Sequence, residues 1–158
     1  MQRLQTTSRL TAISLGLALA GIAVSAYLTL VHYRDDLLVC AVSGCHTVQK
    51  SPYAELAGIP VAALGLGMFA LIVLLGALRR ARPDLSDNLT LAIFAIVLAG
   101  SVFAIYLTWL ELFVIDAICQ WCVLTALLIW ASTIVEGTLA WRALKPPDLD
   151  DYEDEVAT

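Results

Sequence analysis

Four cysteines carry whatever chemistry this chain performs, and they fall as two close pairs, Cys40 with Cys45 and Cys119 with Cys122. The second pair is Cys119-Gln120-Trp121-Cys122, a C-x-x-C on the first turn of an apolar segment that runs to Trp141. Thiols at i and i+3 on a helix share a face and lie within bridging distance. A helix N-terminus offers partial positive charge and free N–H groups, which favour the thiolate that attacks disulfides. The pattern therefore implies a reversible dithiol. In a soluble thioredoxin-like domain the motif would follow a strand of an α/β sheet; here it stands at the rim of a membrane-length helix.

The elements that position these residues are apolar throughout. The 158 residues are 60% hydrophobic and 15% charged, with mean hydropathy +0.84, far from a soluble domain. We expect an all-α integral membrane protein, a four-transmembrane-helix bundle with a redox loop between helices 1 and 2. The expected spans are about 11–31, 60–78, 89–110 and 119–141, in one domain over 1–145. The first is too long for the core of a signal peptide, the rival reading of its basic start at Arg3 and Arg9. Gly65 and Gly67 offer small surfaces for close helix approach. Residues 146–158 hold six of the 14 acids and read as a disordered cytoplasmic tail without assigned function.

The first loop, about His32 to Ile59, is long for a compact bundle, as functional loops tend to be. It holds Cys40 and Cys45, then His46, Ser51, Pro52 and Tyr53, with one short helical turn expected from Tyr53 to Leu56 over the bundle mouth. Gly58-Ile59-Pro60 marks a turn into the second span. Arg3, Arg9, Arg79, Arg80, Arg82, Arg142 and Lys145 fall on one side, and Arg34 and Lys50 on the other. The positive-inside rule then places both termini in the cytoplasm and both cysteine pairs outside, where disulfides persist.

Electrons passing between the pairs require a transient bridge from a loop cysteine to a helix cysteine. A final two-electron acceptor is also required. The sequence has no haem, iron–sulfur or dinucleotide-binding motif, and a lipid-soluble quinone is the acceptor that a bundle can bind without one. Zinc is disfavoured by a ligand set split between loop and membrane helix, and a static i,i+3 disulfide closes too small a loop to stabilise much. A reductant relay without quinone and a structural subunit with inert bridges remain as rival readings. His46 beside Cys45 is read as idle, Trp109 and Trp121 as interfacial anchors or quinone contacts, and Asp116 as water-facing. Glu111 is placed at a helix end in water, with a position inside the bundle as the functional alternative.

In order along the chain, Cys40, Cys45, Ser51, Tyr53, Gly58-Ile59-Pro60 and Cys119 to Cys122 resemble the vitamin K epoxide reductase family. The resemblance spans about residues 11 to 141. It implies a membrane enzyme, an oxidoreductase that reoxidises a secreted thioredoxin-like oxidase and passes the electrons to a quinone of menaquinone, ubiquinone or vitamin K type. It further implies that Cys40 meets the partner's thiol, Cys45 bridges to Cys119, and Cys122 contacts the quinone. Ser51 would hold the quinone-side geometry by hydrogen bonding, and Tyr53 would line the site; no metal or nucleic acid is implied. Only four residues separate Cys40 from Cys45, fewer than in animal members, which shortens the loop's reach. Many bacterial members carry a fused thioredoxin-like domain; none is visible here, so the partner is expected to be a separate protein.

Overall fold

The structure, a computed structural model, describes residues 2–41 and 44–145. The acidic tail at 146–158 lies outside the described residues. Four long helices dominate: α1 (Gln2–Tyr33), α3 (Val61–Ala81), α4 (Ser86–Phe113) and α5 (Gln120–Leu144), with a short α2 (Cys45–Gln49) in the first loop. All four are long and apolar enough to cross a membrane. Even α3, with 21 residues, spans about 32 Å at 1.5 Å per residue, against a hydrocarbon core of ~30 Å. The protein is a multi-pass membrane protein. Each helix runs a few residues past the span read from hydropathy, because a helix continues into the interface until a turn residue stops it. Pro83 does so after α3, and Asp116, at φ 53°, reverses the chain after α4.

Neighbouring helices form a closed ring: α1 packs on α3 and α5, and α4 packs on α3 and α5. The short connections from α3 to α4 and from α4 to α5 give antiparallel neighbours, as in an up-and-down bundle. The centre is filled by Ala18, Phe69, Ile72, Ile93, Val97 and Ile129, all buried and drawn from all four helices. Most other apolar side chains point outward; Leu74, Val102 and Ile134 are largely exposed, as a lipid-facing surface requires. A Cβ on Gly21 would sit 2.5 Å from the Phe69 ring, so glycine there lets α1 and α3 close on each other. Of the two glycines expected to serve packing, Gly65 does face a neighbour, Ser25 on α1. Gly67 has nothing within 4 Å of where its Cβ would be.

The first loop is more structured than its sequence suggests. It carries single 3-10 turns at Asp35–Leu37 and Pro52–Ala54, the helix α2, and a two-residue hairpin. In the hairpin, β1 (Glu55–Leu56) pairs antiparallel with β2 (Ile59–Pro60), Glu55 opposite Pro60 and Leu56 opposite Ile59. The turn residues Ala57 and Gly58 both have positive φ, 54° and 78°, which matches the right-handed twist of a two-residue hairpin. The helical turn expected over Tyr53–Leu56 is thus replaced by a 3-10 turn and a strand. Pro60 caps α3 from the extended side, in keeping with its expected role at the start of that helix.

Candidate redox site at the loop end of the bundle

Cys119 is the residue before α5, extended at φ −99° and ψ 113°, rather than part of the helix's first turn. Its position is fixed by the strap 114–118, which returns from α4 in a tight reversal. Val114 and Ile115 donate backbone hydrogen bonds to the Leu110 carbonyl, and Ala117 donates to the Glu111 carbonyl. The Cys119 N–H then donates to Glu111 Oε2 at 3.2 Å. Glu111 is therefore inside, 6% exposed, and not in water at a helix end. Burying a carboxyl without hydrogen bonds is costly, and the strap supplies one. Asp116, by contrast, is exposed, as the sequence suggested.

The first loop folds down onto this strap. Gly44 lies so close that an added Cβ would be 2.5 Å from the Ile118 carbonyl oxygen and 2.7 Å from its nitrogen. That approach buries Cys45 completely and seats it in one cluster with Val48 and Cys119, flanked by Cys40, Trp121 and Cys122. All four cysteines therefore share one site. Cys40 and Cys45 are joined in a disulfide with Cα atoms 6.3 Å apart, whereas Cys119 and Cys122 are free thiols.

The two residues between the helix cysteines hold the loop. Gln120 Oε1 accepts from the Ala41 N–H at 3.1 Å, and the Trp121 indole N–H donates to the Val39 carbonyl at 2.9 Å. From the other side, Tyr27 donates to the Leu37 carbonyl at 3.1 Å and accepts from the Val39 N–H at 2.9 Å. The Tyr27 and Trp121 rings meet at 4.9 Å. Tyr27, together with Trp121, read from sequence as an interfacial anchor or a quinone contact, therefore pins the segment leading into Cys40. Only their spacing from the cysteines hinted at this. Trp109 does sit half-exposed on the bundle surface beside Phe113.

The two helix thiols differ in what else they meet. Cys122 lines a cavity of about 360 Å³ between the helices, while Cys119 packs on the loop disulfide. The cavity wall is carbon-rich, with Ser51, Tyr53 and Glu111 among its few polar side chains. Ser51 donates to the Val48 carbonyl at 2.8 Å, closing the end of α2 and leaving its oxygen able to accept. Tyr53 is part-exposed at the rim. His46 is exposed on α2. The volume, the apolar wall and the few polar groups fit a quinone head group.

Hydrogen bonding from the Cys122 thiol holds the Cys119 thiol below the ordinary thiol range, against burial and the nearby Glu111 carboxylate. The amides of Cys122 and Trp121 add to the lowering. The expected influence of the helix N-terminus is therefore present, but secondary to the partner thiol. Dithiol, disulfide and buried carboxyl, held at one end of an apolar bundle, define a membrane-embedded thiol oxidoreductase site. The family model described as Vitamin K epoxide reductase family matches residues 12–136, and the chain belongs to that family. The match covers the bundle and both cysteine pairs. It makes the protein a membrane oxidoreductase of disulfide chemistry.

Proposed function

We propose that the protein takes electrons from a thioredoxin-like protein outside the cytoplasm and delivers them to a membrane quinone, thereby supporting disulfide formation. The observation that carries this reading is the division of the helix pair, with Cys119 against the loop disulfide and Cys122 on the apolar cavity. Cys40 is part-exposed and Cys45 fully buried. This asymmetry supports Cys40 as the sulfur a partner thiolate attacks, and Cys45 as the thiol then released beside Cys119. Attack of Cys45 on an oxidised Cys119–Cys122 pair would form the Cys45–Cys119 bridge and free the Cys122 thiol. The partner's second thiol displaces Cys40 and leaves the partner oxidised; the freed Cys40 then displaces Cys119, restoring the loop disulfide and leaving the helix pair reduced. The arrangement described above matches that stage.

Bound in the cavity, a quinone would supply a two-electron, two-proton acceptor. Cys122 would face it, Ser51 would accept from a hydroxyl of the reduced quinone, and Tyr53 would close the rim. Arg9, Arg80, Arg82 and Arg142, exposed at the opposite end of the bundle, support cytoplasmic termini in a bacterial inner membrane and an outward-facing cysteine end.

The test is quinone reduction by the purified protein, with a reduced thioredoxin-like protein or dithiothreitol as donor. Wild type should turn over with both. Cys122→Ser should be inactive with either donor, and Cys40→Ser should lose the protein donor more than the small thiol. Disulfide exchange without any quinone reduction would instead make the protein a reductant relay. Inert disulfides would make it a structural subunit.

A further inference from the structure

Glu111 is buried at the end of α4 with its carboxyl directed at the reactive pair. One oxygen accepts the Cys119 N–H at 3.2 Å, and the side chain stands with Cys122 on the wall of the same cavity. Among the described residues the other buried glutamate, Glu136, holds a guanidinium, Arg79 Nη1, at 2.9 Å. The groups found beside Glu111 are an amide and a thiol. A buried carboxyl held by weak partners next to a thiol that must lose its proton has the position and the chemistry of a general base.

We propose that Glu111 is a catalytic residue, the proton carrier of the Cys119–Cys122 pair. Oxidation of the pair forms one S–S bond and releases two electrons and two protons. The electrons go to the acceptor. Glu111 takes the Cys122 proton as that sulfur becomes a thiolate, and releases it to the acceptor across the cavity. The Cys119 proton follows through its hydrogen bond with Cys122 and the same carboxylate. The acceptor gains two electrons and two protons, so nothing is left over. This inference rests on the quinone reading only for the identity of the acceptor.

Glutamine is a discriminating replacement, because its carbonyl still accepts the Cys119 N–H while the base is gone. The experiment starts from full-length protein with the Cys40–Cys45 disulfide formed and Cys119 and Cys122 reduced, and follows oxidation of that helix pair by a pyridyl disulfide, whose released thione absorbs, across a pH series. A quinone analogue is run in parallel. In wild type the rate should rise with pH through a carboxylate inflection. Glu111→Gln should lose that inflection and slow the reaction at neutral pH by about 10²-fold, with the Cys40–Cys45 disulfide still formed. Glu111→Asp, which keeps the carboxyl on a shorter arm, should keep an inflection at an intermediate rate. It carries the test if the glutamine variant fails to fold. A Glu111→Gln profile that overlays wild type, or an aspartate variant equal to wild type in rate and inflection when glutamine cannot be made, overturns the proposal. Glu111-dependent oxidation by the pyridyl disulfide, with no reaction of wild type with quinone, upholds the proton carrier and removes the quinone instead.

Discussion

The bundle buries a glutamate at each end, and the two are treated differently. Glu136 stands 14 residues after Cys122 on α5, about 21 Å along the helix. It is completely buried, paired with Arg79 of α3, and accepts the hydroxyl of Ser14 on α1. Arg79 also reaches Thr90 on α4 at 3.4 Å, so one network joins all four helices. Charge there is cancelled within a shared hydrogen-bond network, which ties the helices in register. Among the described residues no such clamp closes the cysteine end of the bundle. A loop covers it, a cavity opens beneath, and Glu111 rests on an amide and a thiol. In apolar surroundings a carboxyl serves structure when a cation is supplied and chemistry when one is withheld.

That contrast breaks most sharply at the sulfur itself. Cys122→Ser should cut turnover by at least about 10³-fold while leaving the Cys40–Cys45 disulfide intact, as mass spectrometry of the alkylated protein would show. At the other end, Arg79→Ala or Glu136→Ala strands a buried charge and should cost about 3–5 kcal/mol in unfolding experiments in detergent. Turnover per folded molecule should persist. The double variant Arg79→Met, Glu136→Leu should recover much of the loss, since it removes both charges together; equal damage from the pair and the singles would refute the clamp.

Gly44→Ala probes the seat of the loop. Its Cβ would meet the Ile118 backbone, and lifting Cys45 by an ångström should slow transfer to Cys119 by about 10²-fold, read as slower closure of the loop disulfide. The Cys119 thiolate should persist to lower pH than an ordinary thiol, because its lowered pKa favours the charged form. Cys122→Ala removes the largest cause and should move that titration upward. Thiolate absorbance in a background with Cys40 and Cys45 replaced by serine measures both curves. Trp121→Phe keeps the ring beside Tyr27 but removes the bond to Val39, and should loosen the loop by about 1 kcal/mol. Faster hydrogen exchange at Val39 and Ala41, with α5 unchanged, is the expected signature.

Much of this was legible in the chain, and the parts that were not share a cause. Hydropathy alone marks four spans, because the bilayer demands about 20 apolar residues whatever they pack against. The C-x-x-C and the loop pair announce redox chemistry because few other uses need those spacings. Gly21 and Gly67 look alike in sequence, yet only Gly21 faces a ring; which side of a helix meets a neighbour is not visible when every side is apolar. Arg79 reads as one more cytoplasmic charge beside Arg80 and Arg82, but helical geometry turns it inward to Glu136 while its neighbours face out.

The sequence by itself determined that this protein crosses a membrane four times and carries two dithiol pairs on one side, because length, apolarity and local spacing are properties of single segments. The tertiary structure alone decided that Glu111 faces the thiols, that Gln120 and Trp121 hold the loop, and that Cys119 and Cys122 look to different partners. Each of these depends on where a distant segment comes to rest. The strap after α4 and the loop before α3 meet over α5 only when the ring of helices has closed.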